Sequence, residues 1–174
     1  MYRKLLTLIC ILRRTVPGPT ENAVLMRAVE SSILINSSPG KVIDAFLDPE
    51  DLKGWWGVQR SLVEKKVNGI WTVAWEISEA GVKYISTGLI TAYEPRSHLE
   101  ISNLVYLNPD KQILGPMKLE LNAKSIQPSQ TNLNLIQSGY QQGGDWDWYY
   151  NAVVDAWPFA LGLLKKYLEE PPSQ

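Results

Sequence analysis

The C-terminal stretch places the tightest constraint on the fold. From the Gly143-Gly144-Asp145 opening to about Glu169, the apolar residues Tyr149, Val153, Trp157, Ala160, Leu164 and Leu168 recur three and four positions apart. This is the period of one long helix with a single apolar stripe, and the stripe must be buried. The chain ahead of it alternates at period two. The clearest example is Gly69 to Ser78, where Trp71, Val73, Trp75 and Ile77 oppose Thr72, Ala74 and Glu76, as in a strand with one dry and one wet face. A lone long helix after a run of strands buries its stripe against their sheet, which makes the chain α+β.

The remaining elements follow from the same periods. Val29, Ser31, Ile33 and Ile35 form one side of a first strand. Ser38-Pro39 and Asp48-Pro49-Glu50-Asp51 each read as an N-cap with proline at the first helical position, so two short helices follow; Gly54 is the predicted stop of the second. Asn68-Gly69 signals a hairpin that pairs Gln59 to Val67 with the Trp-bearing strand. Val82 to Tyr93 continues the sheet, with Gly88 as a predicted bulge or close backbone approach. His98 to Tyr106 follows. Met117, Leu119, Leu121 and Ala123 then share a dry face, as do Thr131, Leu133 and Leu135 in the last strand. Pro158 removes a bond inside the long helix and predicts a kink. The expected order is strand, two short helices, six strands, one long helix, giving an antiparallel sheet of about seven strands closed by the C-terminal helix.

With 174 residues, 45% of them hydrophobic, the chain suits one domain that needs neither disulfides nor a metal to close its core. One His (His98) and one Cys (Cys10) cannot form a zinc-type cluster, and counting leaves open only an all-carboxylate site for a hard cation; the expectation is no metal and no cofactor. A lone Cys suits a reducing compartment and hence a cytoplasmic location. Residues 1–27 hold five basic groups against one acidic, and the rest holds twelve against seventeen. An acidic body argues against nucleic acid, whose partners present a clustered basic face. Seven Trp and eight Tyr against two Phe mean that most large rings carry a polar handle, which suits the lining of a cavity.

Residues 5–12, LLTLICIL, are an apolar run between basic pairs. The run is far shorter than the roughly 20 residues of a membrane span, and no small-residue cleavage site follows it, so no stable membrane anchor is expected. VPGPTENA, residues 16–23, is linker chemistry. The expected division is a leader over 1–26, with Met26 a candidate initiator, a domain over 27–170 and a tail over 171–174.

DPEDLKGWWG (48–57), the Gly69 hairpin, TNLNLIQSGY (131–140) and WDWYYNAVVDAWPFALGLLKKYLE (146–169) together resemble the bacterial relatives of the activator of the 90-kDa heat-shock protein ATPase, within the START-like SRPBCC superfamily. The resemblance spans about residues 29–170. It implies a helix-grip fold with a cavity between the concave sheet and the long helix, and a superfamily whose members bind lipids, sterols, polyketides or quinone-like molecules. It also implies a cavity mouth near Trp55-Trp56. Nothing in the sequence resembles the extra N-terminal chaperone-binding domain of the eukaryotic co-chaperone.

The candidate cavity-lining residues are Trp56, Trp71, Trp75, Tyr84, Leu119, Leu133, Tyr149, Val153 and Trp157. Their indole N–H and phenol O–H groups are expected to orient a ligand; the competing reading is plain core packing. His98 reads as a solvated histidine with no evident partner, Asp155 points to water, and Asp145 and Asp147 read as dipole partners in the first turn. Glu76 lies on the face opposite Trp75. There is no phosphate loop, no nucleophile elbow and no carboxylate pair that commits the chain to catalysis, so no catalytic residues are assigned. The leading expectation is a carrier or sensor of a small hydrophobic molecule. The alternatives are a co-chaperone-like stress module that binds a chaperone, and an enzyme acting on an apolar substrate.

Overall fold

The computed structural model describes residues 27–170, so the readings on residues 1–26 and 171–174 lie outside the described residues. Strand β1 (Arg27–Ile35) is followed by helices α1 (Pro39–Asp44) and α2 (Pro49–Trp56). Then come β2 (Arg60–Val63), β3 (Ile70–Ser78), β4 (Gly81–Glu94), β5 (His98–Leu107), β6 (Leu114–Gln127) and β7 (Gln130–Tyr140), and helix α3 (Asp145–Glu169) ends the domain. The element order is the one the periods predict. All seven strands join one antiparallel sheet in the order β1-β7-β6-β5-β4-β3-β2. The chain adds strands from β2 inward and then closes β7 onto β1.

Period two decides which side chains the sheet buries. On β6, Met117, Leu119, Leu121 and Ala123 are buried and the residues between them are half-buried. On β7 the buried set is Thr131, Leu133, Leu135 and Gln137. Helix α3 crosses this face with Tyr149, Val153, Trp157, Ala160 and Leu164 buried, and Leu161 joins them. The helix runs unbroken through Pro158. Gly88 behaves as predicted. The β4–β5 register slips between Thr87 and Leu89, and a Cβ on Gly88 would lie 2.8 Å from Ile101 Cγ2 and 2.9 Å from the Ser102 carbonyl, so only glycine fits.

Three local expectations need correction. Asp48 caps α2 as predicted, accepting from the Glu50 and Asp51 amides, but Gly54 does not stop the helix. It sits inside α2, and the terminator is Gly57 in the left-handed conformation at φ 67°. Gly54 serves close packing instead, since a Cβ there would come within 2.5 Å of Tyr167 Cε2. The segment before Asn68-Gly69 does pair with the Trp-bearing strand, as β2 with β3 over Arg60–Val63, but the turn between them is longer than the Asn-Gly pair. Strand β2 ends at Val63; the Asn68 amide donates to the Ile90 carbonyl, and the Gly69 carbonyl accepts from the Ile90 amide, so this pair joins β4 across the sheet. Finally, His98 has a partner. It is half-buried, and its Nδ1 lies 2.8 Å from Asn122 Oδ1 on the neighbouring strand.

Candidate functional site

Two groups of aromatic rings gather at the sheet–helix interface. The first is built where α2 meets β3. Trp55 and Trp56 stack at 4.9 Å between centroids, and Trp56 also lies edge-on to Trp75 at 5.0 Å and tilted to Trp157 at 5.3 Å. The second is a row of phenols. Tyr106 stacks on Tyr149 at 4.6 Å and faces Tyr84 at 6.3 Å. Tyr140 packs beyond them against Trp146, Tyr149 and Tyr150. Offset and edge-to-face contacts of this kind each add roughly 0.5–1.5 kcal/mol beyond area burial.

Between the two groups lies a partly open cavity of about 110 Å³. Trp56, Trp71, Leu104, Leu119, Val153, Ala156, Trp157 and Ala160 supply apolar surface, and Ser86, Gln137 and Tyr149 supply the polar side chains. Six of the nine expected residues therefore meet around it: Trp56, Trp71, Leu119, Tyr149, Val153 and Trp157. Trp75, Tyr84 and Leu133 do not line it. Trp75 stands behind Trp56 and donates its indole N–H to the Trp56 carbonyl at 3.2 Å. Tyr84 sits two residues along β4 from Ser86, in the phenol row. Leu133 is fully buried in the core, opposite Ile33 and Ala123. Ser86, Leu104, Gln137, Ala156 and Ala160 were not foreseen. Ser86 and Gln137 nevertheless carry the parity of residues that were, Ser86 that of Tyr84 and Gln137 that of Leu133 and Leu135.

The indoles use their N–H groups differently from expectation. Trp71 donates to the Phe46 carbonyl at 2.8 Å and Trp55 to the Ala45 carbonyl at 2.8 Å. Trp157 donates to Gln137 Oε1 at 2.8 Å. Buried N–H groups need acceptors, and here the protein itself supplies them, so Trp71 and Trp157 offer a ligand only ring surface. The Trp157 bond also orients the Gln137 amide, because an indole donor selects the carbonyl end. The amide nitrogen is thereby turned toward the Tyr149 hydroxyl at 3.4 Å and Met117 Sδ at 3.7 Å.

Burial pushes the Tyr149 phenol up to about 12, against a weaker lowering by the Gln137 amide, so it remains protonated at neutral pH. Burial also raises Tyr106 and, more strongly, Tyr140. The Tyr140 hydroxyl and Arg27 Nε are buried without hydrogen-bond partners among the described residues. The first turn of α3 does more than complement its dipole. Asp145 accepts from Lys111 and the Gln112 amide, and Asp147 from Arg27, which ties the helix start to the β5–β6 loop and to β1. Asp155 is exposed, as is Glu76. Among the described residues there is no cluster of His, Cys, Asp and Glu that could hold a metal ion.

A curved antiparallel sheet gripping one long helix, with an aromatic cavity between them, defines the helix-grip class of the START-like SRPBCC superfamily. The family model for Activator of Hsp90 ATPase homolog 1-like protein matches residues 36–169. The chain belongs to that family. Similar solved structures include protein MLL2253 from Mesorhizobium loti, with a TM-score of 0.65 and 18% identity over 82% of this chain and 97% of that one. Another is the Aha1 dimer from Colwellia psychrerythraea, with a TM-score of 0.63 and 17% identity over 85% and 100%. CalU16 from Micromonospora echinospora gives 0.61 and 17% over 85% and 78%. At such identities the likeness is one of fold. No curated protein matches the sequence. No helix among the described residues is long and apolar enough to cross a membrane.

Proposed function

We propose that this protein binds a small apolar molecule in the cavity between sheet and α3, as a carrier or sensor. The carrying observation is the cavity of about 110 Å³ walled by three indoles, a phenol and aliphatic side chains. Its size narrows the wider superfamily range. Apolar protein cavities of roughly 150 Å³ take up benzene, whereas pockets for drug-sized ligands run to about 300–1,000 Å³. The occupant is therefore a single ring or a chain of a few carbons rather than a sterol or a lipid. Thermal unfolding with methylenecyclopentane tests this reading. At 100 times its dissociation constant, a ligand adds about 2.7 kcal/mol, which for a domain of this size raises Tm by roughly 5–10 °C. No shift with this or any other single-ring hydrocarbon would remove the reading.

A second reading, docking to a chaperone of the 90-kDa class, draws on a separate observation. The outer side of α3 exposes Trp148, Val154, Phe159 and Leu163, with Phe159 71% exposed. Placing a charge on this face by Phe159→Asp should abolish any stimulation of the chaperone's ATPase. If the wild-type protein leaves that ATPase unchanged, this reading falls.

A further inference from the structure

The cavity is apolar apart from three side chains in its lining, Ser86 of β4 and the contacting pair Gln137 of β7 and Tyr149 of α3. Gln137 is only 2% exposed, and both ends of its amide are committed. Oε1 accepts from Trp157, and the nitrogen points toward Tyr149 and Met117. The Tyr149 oxygen is thus used as an acceptor from the Gln137 amide, which leaves its proton without an assigned acceptor among the described residues. A phenol holds one donor, and a buried donor without a partner costs about 1–3 kcal/mol. Ser86, half-buried and elsewhere in the lining, carries a second hydroxyl with no side-chain partner among the described residues.

On the reading that the cavity binds a small apolar molecule, we infer that its ligand is a neutral one-ring or short-chain compound bearing a single hydrogen-bond acceptor, a ketone or aldehyde oxygen, received by the Tyr149 hydroxyl. The ligand's oxygen meets the Tyr149 hydroxyl, and its hydrocarbon part lies against the ring and aliphatic surface that makes up most of the lining. A carboxylate ligand is disfavoured, because the lining residues are uncharged and an ion moved into such surroundings loses hydration without gaining a counter-charge. Gln137 is a positioning residue here. Held by Trp157, it fixes the Tyr149 oxygen as acceptor and so directs the phenol proton toward the cavity.

The test compares cyclopentanone with methylenecyclopentane, which differ only in C=O against C=CH2, on wild type and Tyr149→Phe. Their affinity ratio is taken within each protein, so that the ligands' own hydration cancels. The ratio of cyclopentanone to methylenecyclopentane affinity should fall about three- to tenfold in Tyr149→Phe, the equivalent of one neutral hydrogen bond. Cyclopentanecarboxylate should bind at least tenfold more weakly than cyclopentanone. An unchanged ratio, or carboxylate binding as tight as the ketone's, overturns the inference and leaves the apolar-cavity reading standing. Failure of all three probes to bind wild type removes that reading first. Should Tyr149→Phe fold poorly, the carbonyl carbon resonance of 13C-cyclopentanone bound to wild type decides alone. It moves downfield from its position in alkane solvent if the oxygen accepts a hydrogen bond, and stays there if it does not.

Discussion

The indole N–H of Trp157 donates to Gln137 Oε1 across 2.8 Å, joining the buried stripe of α3 to the last strand. Gln137 is the only amide side chain among the fully buried members of that strand's inner row, which otherwise reads Thr131, Leu133 and Leu135. Gln137→Leu preserves its bulk but strands the indole donor, at an expected cost of about 1–3 kcal/mol. Trp157→Phe in the Gln137→Leu background should cost measurably less than in wild type, because the donor's partner is already gone. Urea unfolding of the two single variants and the double variant gives the coupling directly. Strict additivity would show that the pair does not hold α3 to β7.

Gly54 offers a test in which helix propensity and packing oppose each other. In an exposed helix interior, Gly→Ala gains about 1 kcal/mol. Here the added methyl meets the Tyr167 ring at 2.5 Å, and Tyr167 donates its hydroxyl to Asp51 at 2.7 Å, linking α3 to α2. Gly54→Ala should therefore destabilise the wild type, while the same change in a Tyr167→Ala background should stabilise by roughly 0.5–1 kcal/mol. Thermal unfolding of the four proteins reads the change of sign. A stabilising Gly54→Ala in wild type would mean that the Tyr167 ring yields without loss.

These cases also explain what was legible in the sequence. Strand and helix periods are properties of single segments, so the element order and the dry faces of β3, β6, β7 and α3 could be read before any packing was known. Gly57, Gly54 and Asn68-Gly69 were harder, because what stops a helix or shapes a turn depends on which neighbour arrives. Tyr167, more than a hundred positions away, decides the role of Gly54. The cavity was half legible for a related reason. Parity placed Trp71, Leu119, Tyr149, Val153 and Trp157 on inward faces, and the family resemblance pointed to Trp56. Parity does not say how far along a strand the hollow lies, so Tyr84 and Leu133 were expected where Ser86 and Gln137 stand. Choosing inward residues by their aromatic or aliphatic character also passes over a glutamine. Its signal was present, since Gln137 continues the inward register two residues past Leu135.

On the opposite face of the sheet, hydrogen bonds set a dependence on acidity. Thr91 chiefly, with Lys118 and Ser102, holds the Glu100 carboxyl below its ordinary value, against the opposing effect of burial. Asn122 chiefly, with Lys118, does the same for Glu120. A carboxylate lowered in the folded state contributes stability that is complete above its unfolded pKa of about 4.3 and is lost as pH falls through the lower folded-state value. Urea midpoints measured from about pH 6 down to about pH 3 should thus fall more steeply for wild type than for Glu100→Gln/Glu120→Gln. Thr91→Val should flatten the Glu100 part alone. Equal slopes in wild type and the double variant would show that these bonds do not survive in solution.

Filling the cavity separates its role in binding from its role in packing. Ala160 is 6% exposed and lines the hollow from α3, one turn beyond Ala156. Ala160→Leu adds three carbons on the side facing Trp157 and Trp56, within a space of about 110 Å³. Where a side chain enters empty apolar space in a relaxed rotamer, cavity filling commonly gains about 0.5–2 kcal/mol, whereas overpacking a filled core costs about 1–3 kcal/mol. The expected outcome is a raised or unchanged Tm together with loss of the methylenecyclopentane shift, because ligand and leucine compete for one volume. A raised Tm with the ligand shift intact would place binding elsewhere on the domain. A lowered Tm with the shift intact would mean that the sheet–helix interface closes around Ala160 in solution, so that leucine overpacks it and the ligand is held at another site.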